Sequence, residues 1–429
     1  MGTRHLHKLT LLALAGVASA WQAPQQAPRT VEERLAELEA KLSGMPRSTR
    51  AEWKDGFVLE SGDGADQLRF AGLLQVVGAA YESDAARDNG FDLTRMRVAF
   101  EGRLQQRYLF TVENELEPTG SELAEAWIGF DLGPGLGRLM LGRMKEPFSL
   151  EEMVPRRHID FVFFSSLNQF VPAEDHGVTW LGRTEGGALE YGLAAYNGSG
   201  GDELNDDKDA AARLVWHVFG DKPARDFPAD ELQFGVAATV GRADQDWSGV
   251  EIQNETKQSV FAFESGTELD GQRTRLGLEA AWFEGPFALY GEALRIEQEL
   301  NAPGGRADLA LDGFWVAGSW VVTGESKRFS GLEPSAPFLP GQAGAGAWQL
   351  VARYSELELD QGFVDIGAVQ ASAFPGRIAT FDVGVNWYAT NHAKVRAHIV
   401  HTRYEDGADI GGQALDDETA LLLQYQLKF

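Results

Sequence analysis

Chemistry concentrates in one stretch of the chain, residues 142–180, GRMKEPFSLEEMVPRRHIDFVFFSSLNQFVPAEDHGVTW. Arg156, Arg157 and His158 stand side by side in it and are followed by Phe161, Phe163 and Phe164. A guanidinium presents its N–H donors as a planar fork that fits a carboxylate or phosphate, so this knot is a candidate anion contact. A dedicated phosphate trap would need more. Lys145, Arg156 and Arg157 face Glu146, Glu151, Glu152, Asp160, Glu174 and Asp175 within the same region. His158, Asp160, Ser165 and Ser166 also raise hydrolysis, but neither serine lies in a G-x-S-x-G turn. Enzyme activity is therefore not expected.

A second set lies upstream. In FDLTRMRVAFEGRL, residues 91–104, Arg95, Arg97, Glu101 and Arg103 share one face of an extended strand, and Met96, Val98, Phe100 and Leu104 share the other. Residues two apart on one strand face are about 7 Å apart, close enough for an anion to step from one arginine to the next. The same arginines could instead pair with Glu101, Glu113 and Glu115. Both readings stand.

The elements that must carry these residues show the same alternation. Tyr108, Phe110 and Val112 oppose Thr111, Glu113 and Glu115, and Ala126, Ile128 and Phe130 oppose Glu125 and Trp127. Sixteen such segments can be counted between residue 67 and the C-terminus. Short connections (Gln105-Gln106, Gly285-Pro286, Asn391-His392) mostly alternate with long ones (144–175, 198–210, 242–271, 359–376, 405–417). Connections 220–231 and 324–346 are longer than that pattern asks, and 258–266 could add a strand. Beyond the N-terminus no run of about 18 apolar residues exists, so helical membrane spans are excluded. An even strand number with short turns on one side and long loops on the other is the signature of an outer-membrane barrel. The expected fold class is all-β: a transmembrane antiparallel β-barrel of about 16 strands, occupying residues 56–429. Residues 144–176 are too long for a turn and too apolar for a disordered tail, so they are expected to fold inward and narrow the lumen. The alternative for Arg156, Arg157 and His158 is an external loop tip touching lipopolysaccharide.

Composition bounds the rest. Lys plus Arg number 38 against 64 Asp plus Glu, a net charge of −26, so no nucleic-acid partner is expected. With no cysteine there is neither a disulfide framework nor a thiolate metal site. No metal or organic cofactor is expected. The acidic run DELNDDKD, residues 202–209, lacks the central glycine and closing glutamate of an EF-hand, and GPGLGR at 133–138 precedes a strand rather than a helix and is a turn.

The termini carry their own signals. Residues 1–20 have a basic start, an apolar core from Leu9 to Val17 and the small-residue motif Ala18-Ser19-Ala20, the pattern of a cleaved signal peptide. Residues 21–55 hold a Pro/Gln linker and then Val31, Leu35, Leu38 and Leu42 at heptad spacing, a short periplasmic helix that could pair as a coiled coil in a homotrimer. At the other end, Leu421, Leu423, Tyr425, Leu427 and Phe429 line one face of ETALLLQYQLKF. Such an amphipathic terminal strand with a final aromatic fits recognition by the barrel-assembly machinery.

The pieces GFVLESGDG, LRFAGLLQ, RMRVAFEG, GRMKEPFSLEE, WVVTGES, GAWQLVARYSELEL and GVNWYATNHAKVRAHIV, in this order, resemble the phosphate-selective porin O and P family. The resemblance spans most of residues 56–429. It implies a trimer of sixteen-stranded barrels in outer-membrane lipid, with inward-folded cationic loops and an arginine ladder that guides anions such as phosphate. It carries Arg95, Arg97 and Arg103 onto the family's arginine-bearing strand, and adds Arg143 and Lys145 from GRMKEPF, Arg353 from VARYS, and Lys394 and Arg396 from AKVRAHI as pore-lining contacts. The chain departs from the family at Leu73, where a basic residue is more usual, and in the acidity of its inward loop. Passive diffusion of small hydrophilic solutes with an anion or phosphate preference is the function implied. A general or cation-tolerant pore and a plugged structural barrel are the alternatives.

Overall fold

The computed structural model describes residues 30–32, 34–36, 49–83, 88–117, 120–198, 208–221 and 230–429. The chain divides into two units, Met1–Arg47 and Ser48–Phe429. In the first, Val31, Glu32 and residues 34–36 are helical, with Val31 and Leu35 exposed. Leu38, Leu42 and residues 1–20, on which the coiled-coil and signal readings also rest, lie outside the described residues.

The second unit is one continuous antiparallel sheet rolled shut. A short hairpin, β1 (Arg50–Trp53) and β2 (Phe57–Glu60), leads into β3 (Gln67–Tyr81), β4 (Gly90–Leu104), β5 (Tyr108–Glu117), β6 (Gly120–Gly133) and β7 (Gly137–Lys145). Then come β8 (Glu174–Arg183), β9 (Leu189–Tyr196), β10 (Asp209–His217) and β11 (Glu231–Asp246). After a small detour, β12 (Glu251–Gln253) and β13 (Ser259–Ala262), the wall resumes with β14 (Glu268–Glu284), β15 (Phe287–Ala302), β16 (Gly305–Val321), β17 (Ala347–Leu359), β18 (Arg377–Tyr388), β19 (Ala393–Ile410) and β20 (Gln413–Lys428). Of the eighteen strands in this sheet, sixteen form the ring once β1 and β2 are set aside, and each expected segment is among them. Each wall strand pairs with its neighbour in sequence, and β20 pairs back onto β3 from Ala420 opposite Tyr81 to Lys428 opposite Leu73.

Alternation decides which side meets lipid. Leu278 is 63% exposed and Leu421 54%, whereas their strand neighbours Glu279 and Leu422 are 7% and 1% exposed. Apolar side chains form the outer face and polar ones turn inward, the arrangement that a hydrocarbon solvent selects. Closure removes the sheet edges that would otherwise be left unpaired. Phe429 completes the seam: its backbone exchanges hydrogen bonds with Gly72, N to O at 3.0 Å and O from N at 2.6 Å. Its ring occupies the space where a side chain on residue 72 would stand, 2.3 Å from an ideal Cβ. At the β4–β5 turn Gln105 and Gln106 both take positive φ, 51° and 62°, the type I′ geometry whose twist matches the flanking strands.

Three expectations change in detail. The possible strand at 258–266 does form, as β13, but it pairs only with β12 in a separate two-stranded sheet, so the ring count is unaffected. Residues 405–417 are not a long loop: β19 and β20 extend as one hairpin turned at Gly411 and Gly412, with Ile410 opposite Gln413. Residues 324–346 are long because part of the segment folds back, placing Phe329 against Phe283 and Tyr290 at ring separations of 4.8 and 5.5 Å.

Replacing Gly72 with Val forces the Phe429 ring off the β3–β20 seam. We expect a loss of about 1–3 kcal/mol from overpacking, seen as a lower denaturant midpoint in the heat-modifiable gel shift of the folded barrel.

Candidate functional site

Residues 146–173 leave the wall after β7 and run through the lumen. The first turn, α1 (Leu150–Met153), is capped by Ser149, whose Oγ accepts from Glu152 N at 3.3 Å. Glu292 of β15 accepts from Ser149 Oγ and Leu150 N, both at 2.8 Å, so a wall carboxylate pins the helix start. Beyond it, Arg353 of β17 is the main anchor. Its guanidinium meets Glu151 at 2.9 Å, Glu255 of the neighbouring inward loop at 2.6 Å and the Phe163 carbonyl at 3.0 Å, with Phe161 stacked at 4.4 Å. Lys394 Nζ donates to the Ile159 carbonyl at 2.9 Å, and Arg396 donates to the carbonyls of Ile159 and Phe161. Lys327 reaches Asp160 at 2.9 Å, and Tyr290 donates to the same carboxylate at 2.6 Å.

Two further loops pack on this one. Gln253 N donates to Gln169 Oε1 at 2.8 Å, and Asn254 Nδ2 donates to Tyr404 OH at 2.8 Å. Residues 360–376, carrying α2 (Gly362–Asp365), bring Phe363 and Phe374 against Phe263 and Phe261. The result is an apolar core inside the barrel, along the wall from β14 to β19.

What remains open lies against β3–β8. One cavity of about 610 Å³ is lined by eight basic side chains, among them Arg69, Arg97, Arg103, Arg138, Lys145 and Arg157, and by four acidic ones. A second, of about 480 Å³, is lined by Arg95, Arg156, Lys257 and Arg396 against Asp92 and Glu115. The two meet at Arg156, which lines both. At this junction Arg97 of β4 lines the first cavity, Arg95 of β4 the second, and Arg156 of the loop both. Arg97 bonds Glu115 and sits 2.5 Å from Glu113, while Arg95 stands 3.8 Å from Glu115. The pairing read from the sequence is present, and Arg97 and Arg95 also line the first and second cavity respectively.

Arg156 is held from behind. Glu152 contacts Arg156 at 3.3 Å and is itself contacted by Lys145 at 3.2 Å, and the Arg156 guanidinium lies 3.4 Å above the Phe164 ring. Burial pushes the Glu152 carboxyl up, but Lys145 and Arg156 outweigh it and hold it down to about 2. His158 departs from the cationic knot of the sequence reading: burial, reinforced by Arg157, Lys428, Lys394 and Lys327, takes it down to about 3, so it is neutral at pH 7.

The site residues thus separate by position. Arg95, Arg97, Arg103, Lys145, Arg156 and Arg157 line the open path. Arg353 and Lys394 line neither cavity, and Arg396 borders the second with its guanidinium spent on loop carbonyls and Gln424. Arg143 shares the register of Leu139 and Leu141, lies 3.4 Å from Glu122, and lines neither cavity. Sequence reasoning missed Arg69, which the same strand-face argument would have found, and Lys257, whose place in a turn of the second loop has no such periodic signal. Of the residues that raised hydrolysis, Ser165 Oγ donates to Glu151 and Asp160 pairs with Lys327. Asp209, at the end of the acidic run, is buried against Arg273 and Arg275.

The phosphate-selective porin O and P family matches residues 72–429. The chain belongs to that family. It is an outer-membrane β-barrel porin through which small hydrophilic solutes diffuse passively. Among solved structures it is similar to OmpT of Vibrio cholerae, with 13% identity over 85% of this chain and 98% of that one and a TM-score of 0.53. It is also similar to an anion-selective porin from Comamonas acidovorans, with 10% identity over 85% and 100% of the two chains and a TM-score of 0.52. For OprB of Pseudomonas putida the identity is 11%, the coverage 86% and 95%, and the TM-score 0.50. At these identities the likeness is one of fold. A search of curated proteins gives no match.

Two outcomes test the porin's loop anchorage. Arg353→Met leaves Glu151 and Glu255 buried without their cation. The expected cost is about 3–5 kcal/mol, with noisier and larger single-channel currents as the loops loosen. Glu152 behaves differently. Its folded value lies below the unfolded 4.5, so the stability it lends is complete above 4.5 and is lost as pH falls toward about 2. The denaturant-midpoint gap between the native porin and Glu152→Gln should therefore stay constant from pH 5 to 8 and close in the acid range.

Proposed function

We propose that this porin favours anions, with phosphate-sized oxyanions among its solutes. The observation that carries the reading is the charge of the open path. Basic side chains outnumber acidic ones in both cavities, eight to four and four to two, in a chain whose net charge is −26. Part of the acid sits elsewhere: Glu405, Asp406, Asp409, Asp416 and Asp417 are exposed on the β19–β20 hairpin. Charged side chains at a constriction set ion selectivity more directly than net charge does. Arg95, Arg97, Arg103, Lys145, Arg156 and Arg157 are assigned as the anion contacts. The likeness in fold to an anion-selective porin is consistent with this. The channel has no catalytic role in this reading.

The finer architecture belongs to the same proposal. Residues 1–20 serve as a cleaved signal peptide and 21–55 as a periplasmic linker with a short coiled coil, with 56–429 as the barrel. The exposed Val31 and Leu35 support pairing of that helix between copies, hence a homotrimer. The apolar face of β20 and the seated Phe429 support delivery by the barrel-assembly machinery, and the long-loop end would face lipopolysaccharide.

The test is the reversal potential of the purified porin in a planar bilayer under a KCl gradient. A chloride-side potential is expected, with added phosphate reducing chloride current and Arg156→Gln shifting the potential toward potassium. A potassium-side potential in the native porin would establish the cation-tolerant alternative, and no current at all would make it a plugged barrel.

A further inference from the structure

The second cavity differs from the first in having an aromatic wall. Phe163 and Phe164 line it together with Arg95, Arg156 and Lys257. Phe164 is buried and already covered by Arg156 at 3.4 Å, whereas Phe163 is only half-buried, and Lys257 Nζ lies 5.9 Å from its ring centroid. Lys257 is held in place by its turn: φ is 67°, and Asn254 Oδ1 accepts from Thr256 N at 2.9 Å and Gln258 N at 3.0 Å. The backbone N–H of Lys257 donates to the Asn254 carbonyl at 3.1 Å, and among the described residues its Nζ has no ion-pair partner within 4 Å. Three cations thus converge on a space bordered by an aromatic ring, with Glu115 3.8 Å from Arg95, Glu152 3.3 Å from Arg156, and Asp92 also in the lining.

That combination suits a particular chemistry. Inorganic phosphate is small, multiply charged and strongly hydrated, and gains nothing from an aromatic wall. A planar carboxylate places its charge on guanidinium or ammonium donors and its apolar body against a ring, where offset or edge-on contact adds to binding. We propose that the cavity formed by Arg95, Arg156, Lys257 and Phe163 is a binding site for small organic carboxylates with a planar apolar body, and that Lys257 is a specificity-determining residue of this porin. The inference rests on the anion-preferring reading above.

The experiment is block of chloride current in planar bilayers by benzoate, acetate and phosphate, each titrated on the native porin, Phe163→Leu and Lys257→Gln. Benzoate should block at the lowest concentration. Phe163→Leu should weaken benzoate block about five- to tenfold, the scale of one aromatic contact, while leaving acetate block unchanged. Lys257→Gln should weaken block by both carboxylates. Unchanged heat-modifiable mobility shows that each variant is folded. If the native porin is chloride-selective but phosphate or acetate blocks as well as benzoate, the carboxylate site is overturned and the anion preference stands. If the native porin is potassium-selective, both fall together. If Phe163→Leu weakens benzoate and acetate equally, the ring serves only to shape the loop, and the proposed aromatic recognition is overturned.

Discussion

One buried arginine sets the shape of the passage. Arg353 is 1% exposed and is the point at which the barrel wall, the first inward loop and the second inward loop are joined, through Glu151, Glu255 and the Phe163 carbonyl. A single charge inside a protein is costly, and so is a single carboxylate; here each makes the other tolerable. The geometry is also directional. A planar guanidinium with its donors committed to two loops leaves neither loop free to slide along the wall without exposing an unpaired charge. Loop backbone at membrane depth is tolerated where its polar groups are satisfied by protein, and Lys394 and Arg396 extend the same logic to the carbonyls of Ile159 and Phe161.

This division of labour among cations explains how much could be read from the residues alone. The wall was legible because period-2 alternation is written by lipid on one side and water on the other, and because β20 is followed by Phe429, an aromatic that has a physical place against Gly72. The lining role of Arg95 and Arg97 followed from the same alternation. The loop anchors were not legible, since Arg353, Lys394 and Arg396 also fall on inward strand faces and alternation reports only which way a side chain points. Whether an inward arginine meets solvent or a loop depends on which part of the lumen the loops occupy. That is a tertiary fact. Lys257 shows the converse: it comes from a short non-periodic turn and reaches the lumen only because Asn254 organises the backbone around it.

The filled and open halves of the lumen are linked. Phe148, Leu167 and Phe170 of the first loop, Phe261 and Phe263 of the second, and Phe363 and Phe374 of the third form a common apolar core against the β14–β19 wall. Burial of that area holds the loops mainly to one side, and the passage is the space they leave open beside β3–β8. The polar lining follows as a consequence, because the strands bordering that strip are the ones that carry Arg69, Arg95, Arg97 and Arg103.

Net acidity and a basic passage are therefore compatible on physical grounds. At an ionic strength of about 0.1 M charges more than about 10 Å apart are largely screened from each other across water, so acids on the exposed β19–β20 hairpin act weakly on an ion at Arg156. Nearby charges act strongly, and near Arg156 the balance is fine: Glu152 neutralises part of it, and Glu113 and Glu115 neutralise part of Arg97. The passage is thus lined by partly compensated cations, an arrangement that under the proposed anion preference would attract an anion without holding it so tightly that it cannot leave. A fully uncompensated cluster would bind and stall. On the anion-favouring reading proposed above, the acids in the inward loop would keep the pathway conducting rather than close it to anions.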